Sequence, residues 1–343
     1  MRKLLAALAA VATLAAVSAA PVSAQTRITG SGASFPFPIY SAWFKDFSSK
    51  TEGVTVDYQS KGSGAGIQDL INGVVDFAAS DAAMKDEDIA KVKNGVVLLP
   101  MTAGEIVLAY NLPGVETLNL PRDVYSDIFQ GKIETWNDPR IAAANPDAKL
   151  PATPITVVVR SDSSGTTFNF TNHLAAISET FKSSVGAGTS VQWPAINRVI
   201  KAPKNDGVTA TVMQTPGAIG YIEYGYAKMT GTPMALLENA RGEFVAPGGE
   251  GGPLALASAE FDSNMRAFIT DPQGEGAYPM ATFTWMLFYK DGQPEAKVTA
   301  LKEMIEYGLT TGQEMADSLG YIPMPESVIE KVRAAAKQIG AGS

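Results

Sequence analysis

"VVVRSDSSGTTFNF", residues 157–170, contains a complete strand–loop–helix unit and indicates the class of fold. Its β-branched run ends at Arg160, small hydroxylated residues follow around Gly165, and a segment with helical spacing comes next. Along the whole chain, short apolar runs of this kind alternate with helical segments, which predicts an α/β fold with mainly parallel strands. An arginine that ends a buried strand needs an explanation, because a buried charge is costly without a partner.

Two further segments have the same design, namely residues 28–44 (ITGSGASFPFPIYSAWF) and 56–71 (VDYQSKGSGAGIQDLI). In each, glycines allow close approach of a ligand, and the helix that follows offers unpaired N–H groups and serine or threonine hydroxyls. Helix capping alone explains any one of these loops. Three of them at the carboxyl ends of strands, one with an arginine, favour an anion-binding site, because ligands bind at such ends in open α/β sheets.

Asp81 and Arg160 give the predicted site its specificity and its countercharge. Asp81 follows the short apolar run FAAS, where an ordinary turn or cap is the alternative. Phosphate retains a proton near neutral pH, so a carboxylate among donors would accept from phosphate and repel sulfate. Arg160 presents a planar fork suited to an oxyanion, and Asp162 is placed to hold the guanidinium.

Composition and the N-terminus place the protein outside the cytoplasm. Arg2 and Lys3, the apolar run 4–17 and the small residues 22–24 predict a cleavable signal peptide over residues 1–24, too short in its apolar part to span a membrane. The predicted location is the periplasm. The absence of cysteine excludes disulfides and thiol chemistry. The charge of −8 becomes −10 after cleavage (25 basic against 35 acidic residues), which argues against nucleic-acid binding.

Other chemistries lack their sequence signatures. GxxxxGK[ST] and GxSxG are absent, and His173 is the single histidine, which predicts neither a catalytic centre nor a metal site. The aromatic stripe of α-helical spacing in residues 40–47 predicts core packing. The glycine-rich run 246–255 predicts a surface loop.

These motifs, in order and over essentially the whole mature chain, resemble the periplasmic phosphate-binding proteins of the Pst phosphate ABC transporter. The resemblance rests on TGSGASFPFPIYSAWF, GSGAGIQDLINGVVDFAASDA, VVVRSDSSGTTFNFT and KNDGVTATVMQTPGAIGYIEYGYA. It implies a two-domain, type II-like binding protein in which each domain is a mainly parallel sheet flanked by helices and phosphate binds in the interdomain cleft. The strand-like runs EIVLAYN and TFTWMLFY are candidate crossings, giving domain I as 25–111 plus 284–343 and domain II as 112–283.

The resemblance also implies a set of ligand residues, carried over position by position: Ser34, Phe35, Ser63, Asp81, Arg160, Ser164, Gly165 and Thr166, with Asp162 as the partner of Arg160. Departures from the family pattern are Ser34 for threonine, Ser163 for glycine and Glu105 at a small or apolar position. The implied protein is a monomer that uses no cofactor or metal, catalyses nothing and delivers phosphate to membrane permease subunits. The alternatives are a receptor for another tetrahedral oxyanion, an exported phosphatase, or a surface protein that has lost transport.

Overall fold

The computed structural model describes residues 25–341, so the predicted signal peptide lies outside the described part of the chain. The strands are β1 Thr26–Gly32, β2 Val54–Ser60, β3 Phe77–Ser80, β4 Val96–Tyr110, β5 Asn119–Leu120, β6 Thr156–Arg160, β7 Val199–Ala202, β8 Ala218–Glu223, β9 Leu236–Glu238, β10 Phe244–Val245 and β11 Ala281–Tyr289. The helices are α1 Phe37–Lys50, α2 Ser63–Ile71, α3 Asp86–Ile89, α4 Arg122–Ile128, α5 Pro139–Ala144, α6 Gly165–Ile177, α7 Glu179–Ser184, α8 Lys204–Gln214, α9 Tyr224–Thr230, α10 Gly251–Leu256, α11 Glu295–Leu309, α12 Ala316–Leu319 and α13 Glu326–Ala336.

A long central strand, β4, joins two halves of one sheet with the order β2-β1-β3-β11-β4-β8-β6-β7. Its residues 96–105 pair with β11, and its residues 106–110 pair with β8. We call the half that contains β1, β2, β3 and β11 the first lobe, and the half that contains β6, β7 and β8 the second lobe. The predicted α/β architecture in two parts is therefore confirmed, while the boundaries 25–111, 112–283 and 284–343 stay a prediction.

Parallel pairing within each lobe brings the hydroxyl-rich loops together. In the first lobe β1 pairs in parallel with both β2 and β3, and in the second lobe β6 pairs in parallel with both β7 and β8. Because parallel neighbours end at the same edge of a sheet, the loops that follow them share that edge. The antiparallel partners β11 and β4 lie between the two parallel groups.

The core follows the predicted pattern in α1 and departs from it in the glycine-rich run. Tyr40, Trp43 and the other aromatic residues of the α1 stripe are buried, as expected from their spacing. Residues 246–250 of this run form a mostly exposed loop, as predicted, whereas residues 251–255 belong to α10, in which both glycines are buried. Buried Glu105 ties this run to β4, because its Oε2 accepts a hydrogen bond of 2.6 Å from the backbone N–H of Gly248. No helix within residues 25–341 has the length and apolar content needed to cross a membrane.

Candidate anion-binding site

Arg160 is the last residue of β6, and its side chain is only 1% exposed. Asp162 binds the guanidinium through two hydrogen bonds, from Nε to Oδ1 at 2.8 Å and from Nη2 to Oδ2 at 2.5 Å. Burial opposes ionisation of Asp162, but the bonds and charge of Arg160 outweigh it and lower the pKa of this carboxyl. The predicted pairing is present, and Nη1 remains directed at the hydroxyl of Thr166, 3.2 Å away.

Asp81 follows β3 directly and is almost completely buried. Its Oδ1 accepts from the hydroxyl of Thr284 at 2.8 Å, and its Oδ2 accepts from the hydroxyl of Ser63 at 3.4 Å. Burial raises the pKa of Asp81 to about 7, and the hydrogen bond from Thr284 and the charge of Arg160 offset only part of that increase. Near neutral pH the carboxyl can therefore be either ionised, and accept a hydrogen bond, or protonated.

Two hydroxyl groups of the site, those of Ser34 and Thr166, are held by Asn205. The Oγ of Ser34 accepts from the backbone N–H of Asn205 at 3.1 Å and from its Nδ2 at 2.9 Å. The Oγ1 of Thr166 accepts from the same Nδ2 at 3.2 Å and from Nη1 of Arg160. A hydroxyl has two lone pairs and one proton, so each of these oxygens has only its proton left to offer.

The hydroxyl of Ser63, the first residue of α2, also accepts from two N–H donors, but its proton is directed at Oδ2 of Asp81. Its Oγ accepts from the backbone N–H of Asp81 at 3.2 Å and from that of Gly165 at 3.0 Å. With Ser34 and Thr166, it forms a set of three buried hydroxyl groups whose oxygens are occupied by N–H donors. Ser34 and Thr166 can therefore only donate to a further ligand, and Ser63 can do so once its proton turns from Asp81 to that ligand. Hydroxyl donors of this kind are the chemistry required for an oxyanion next to an arginine.

Hydrogen bonds between the lobes surround these groups. Gly165 of the second lobe donates to Ser63 of the first, and Nδ2 of Asn169 donates to the carbonyl oxygen of Asp81 at 2.7 Å. A Cβ atom added at Gly165 would lie 2.6 Å from the Oγ of Ser63 and 2.7 Å from Asp81, so only glycine permits this approach. The cleft is thus closed around the candidate site.

The remaining two predicted residues, Phe35 and Ser164, are sequence neighbours of the hydroxyl set and also stabilise the fold. The ring of Phe35 is buried in the first lobe, and its carbonyl oxygen accepts from the hydroxyl of Tyr321 at 2.7 Å. Ser164 caps α6, because its Oγ accepts from the backbone N–H of Thr167 at 3.0 Å. The hydroxyl proton of Ser164 is still available, so capping does not exclude contact with a ligand.

Sequence reasoning missed Asn205 and Thr284, which position the predicted residues. Asn205 opens α8 after β7, a strand that the sequence pattern did not reveal, and it lies in the quoted run KNDG. Lys204 before it has a left-handed φ of 59°, and its N–H donates to Asp162 at 2.9 Å. Thr284 lies within an apolar strand, where it reads as an ordinary β residue. The available signal for Asn205 was its place in a stretch that carries the family resemblance.

His173 is buried away from this cluster, and its Nε2 lies 2.8 Å from the hydroxyl of Tyr125. Burial lowers the pKa of His173 to about 4, so the ring is neutral at pH 7. Within residues 25–341, no group of three or more acidic or histidine side chains is arranged to hold a metal ion.

Comparisons with known proteins agree with this geometry. A family model described as a PBP superfamily domain matches residues 18–309. Two relatives named phosphate-binding protein PstS are 40% identical (Pasteurella multocida, 91% of this chain and 90% of the relative) and 38% identical (Xylella fastidiosa Temecula1, 92% and 88%). The fold is similar to that of a high-affinity periplasmic phosphate-binding protein (PfluDING) solved with phosphate, with a TM-score of 0.73, 20% identity and coverage of 90% of this chain and 93% of that one.

Proposed function

Because the chain belongs to the PBP superfamily and, within it, to the PstS phosphate-binding proteins, we propose that it captures inorganic phosphate between its lobes for import by an ABC transporter. It is a solute-binding protein and not an enzyme. The observation that carries this proposal is the set of three buried hydroxyl groups whose oxygens already accept from N–H donors. Their protons supply neutral donors to a buried anion, which is tolerated only where its oxygens are paired.

Each predicted residue has a role in this proposal. Arg160 supplies the countercharge, and Asp162 reduces the net charge of the pair so that the empty cleft does not hold a bare buried cation. Ser34, Ser63 and Thr166 donate their hydroxyl protons to phosphate oxygens. The further donors in the proposal are the backbone N–H groups of Phe35, Gly165 and Thr166 and the hydroxyl of Ser164.

Asp81 distinguishes phosphate from sulfate in this proposal. Its carboxylate and one phosphate oxygen share a single proton, which HPO₄²⁻ brings and sulfate lacks. Since the pKa of Asp81 is raised to about 7 by burial, lowering the pH protonates the carboxyl and removes the repulsion of sulfate. Sulfate affinity is therefore expected to increase as the pH falls below 7, while phosphate affinity changes less.

The test is calorimetric titration of phosphate-stripped protein with phosphate, arsenate and sulfate, using Asp81→Asn and the control Asp76→Asn. Asp76 directly precedes β3 and Asp81 directly follows it, but Asp76 binds Thr29 and Lys297 outside the site. Asp81→Asn is expected to reduce the preference for phosphate over sulfate at least tenfold, and Asp76→Asn is expected to leave it unchanged. Equal discrimination by wild type and Asp81→Asn would refute the acceptor role.

The same titration, together with an assay on a chromogenic phosphate ester, separates the alternatives. A receptor for another tetrahedral oxyanion would bind sulfate more tightly than phosphate at pH 8. An exported phosphatase would release phosphate from a chromogenic ester, with or without divalent metal. A surface protein that has lost transport would bind no phosphate. This proposal includes a periplasmic location, cleavage of residues 1–24, contact with permease subunits and a monomeric state. N-terminal sequencing of the exported protein tests the cleavage, and light scattering tests the monomeric state.

A further inference from the structure

Residues 261–271, which we call the strap, cross between the lobes without forming a helix or a strand. The strap begins on the first lobe, where the ring of Phe261 packs against Phe283 of β11 with a centroid distance of 5.0 Å. It ends on the second lobe beside α4 and α6, the helix that opens with Gly165 at the candidate site.

The first-lobe end of the strap is anchored by Arg266. Its Nη1 donates to Oδ1 of Asp86 at 2.7 Å and to the carbonyl oxygen of Met84 at 3.3 Å, close after the site residue Asp81 in sequence. Trp285 adds a hydrogen bond of 2.7 Å from Nε1 to the carbonyl oxygen of Met265. The side chain of Arg266 is 16% exposed, but that of Asp86 is 74% exposed, so the ion pair itself adds little and this anchor depends on the bonds to the carbonyl oxygens of Met84 and Met265.

The second-lobe end is anchored by a bidentate ion pair. Both carboxylate oxygens of Asp271 accept from Arg122 of α4, at 2.6 Å and 2.8 Å, and the two side chains are 17% and 24% exposed. The hydroxyl of Thr270 accepts from Nδ2 of Asn172, on α6, at 2.8 Å. Bidentate arginine–carboxylate pairs combine a defined direction with a stronger bond than single contacts.

Strained backbone marks both ends of the crossing. Met265 and Asp271 have left-handed φ values of 58° and 49°, which side chains other than glycine seldom adopt. Such residues persist only where the surrounding contacts hold them, and here the anchors described above do so. Between the anchored residues 266 and 270 the chain advances four residues, a span of at most about 13–14 Å when fully extended.

The middle of the strap lies over the mouth of the cleft. Phe268 is 55% exposed and packs edge-to-face on Phe168 of α6, with a centroid distance of 6.3 Å. These two rings line a cavity of about 500 Å³ together with Gly64, Ala82 and Ser163, the sequence neighbours of the site residues Ser63, Asp81 and Ser164. The strap therefore borders a cavity lined by residues of both lobes that adjoin the candidate site.

We propose that the strap is a tether that limits how far the lobes open and thereby slows the release of bound phosphate. Opening moves the two anchors apart, so the short link must first extend and then one anchor must break. Weakening either anchor raises the free energy of the closed state relative to the open state without altering the groups that contact phosphate. The rate of release rises while the rate of association changes little. The kinetic part of this proposal rests on the proposed phosphate function, whereas the limit on opening does not.

The test uses Asp271→Asn and Arg266→Gln, with Arg333→Gln as a matched control. Asparagine at 271 tolerates the left-handed conformation but loses the charge that Arg122 binds. Arg333 pairs with Glu306 and Glu326 on the outside of the first lobe, away from the strap. Stopped-flow measurements of phosphate release and association, with thermal unfolding as the check on folding, give the two rates for each variant.

Each strap variant is expected to release phosphate 5- to 20-fold faster than wild type, with the association rate changed less than twofold. Arg266→Lys is expected to release phosphate more slowly than Arg266→Gln. Small-angle scattering of phosphate-free protein is expected to show a larger radius of gyration for both strap variants than for wild type. Unchanged release together with unchanged scattering overturns the tether. If wild type binds no phosphate, the proposed function fails, and the scattering comparison alone decides whether the strap limits opening.

Discussion

Replacement of Asn205 tests whether the direction of the hydrogen bonds in the site gives it affinity for an anion. Asn205→Ala removes the Nδ2 donor to Ser34 and Thr166 and the Oδ1 acceptor of the N–H of Glu223, which is 2.9 Å away. Each hydroxyl then regains a lone pair, and its proton is free to turn away from the ligand. Asn205→Asp preserves the shape and the acceptor, but a carboxylate would accept both hydroxyl protons itself.

The expected magnitudes follow from the lost contacts. For Asn205→Ala, two weakened donor hydroxyls correspond to about 1–2 kcal/mol, or roughly a 5- to 30-fold loss of phosphate affinity. Unfolding becomes easier by about 2–4 kcal/mol, because the buried N–H of Glu223 loses its acceptor. For Asn205→Asp, the reversed hydroxyls and the repulsion between two anions predict a loss of at least about 100-fold.

Calorimetric titration with phosphate measures both affinities, and chemical denaturation measures the stability change separately. Asn239→Ala is the control, since Asn239 is equally buried and bonds to Glu243 and Ala277 far from the site. It is expected to reduce stability while phosphate affinity remains that of wild type. An Asn205→Asp variant that binds phosphate within threefold of wild type would refute the reasoning about donor direction.

Three further predictions concern the closed cleft and two buried titratable groups. Gly165→Ala is expected to weaken phosphate binding at least 100-fold in calorimetry with near-normal thermal stability, because its Cβ would hold the lobes apart at Ser63; binding within tenfold of wild type would contradict this. Burial lowers the pKa of His173 to about 4, so the free energy of unfolding is expected to fall by about 3 kcal/mol as the pH drops from 6.5 to 4, and His173→Gln should flatten that slope in denaturation series. Burial raises the pKa of Glu105 to about 7, so the free energy of unfolding should fall as the pH rises from 4.5 to 7. At pH 8, Glu105→Gln is therefore expected to be more stable than wild type by about 1–3 kcal/mol. Equal stability of the two proteins at pH 8 would argue against a buried charge.

The class of fold was predictable because periodicity is a local property. The β-branched runs around residues 157–160 and the helical spacing after Gly165 both describe elements that the structure contains. The glycine-rich run 246–255 was predicted correctly only over its exposed first half, because composition alone cannot show that residues 251–255 pack as part of the helix α10. The first-lobe half of β4 and its partner β11 are separated by about 180 residues in the chain, so their pairing is a tertiary fact.

For the site, the sequence by itself determined the types of group and the loops that carry them: an arginine at a strand end, an acid after another strand, and small hydroxylated residues before helices. Local spacing suffices for these, because each loop follows its own strand and precedes its own helix. Only the tertiary structure decided the direction of each hydrogen bond. The amide of Asn205 donates to Ser34, 171 residues away in the chain, and to Thr166, 39 residues away, and these two contacts help to leave both hydroxyls with only their protons to offer.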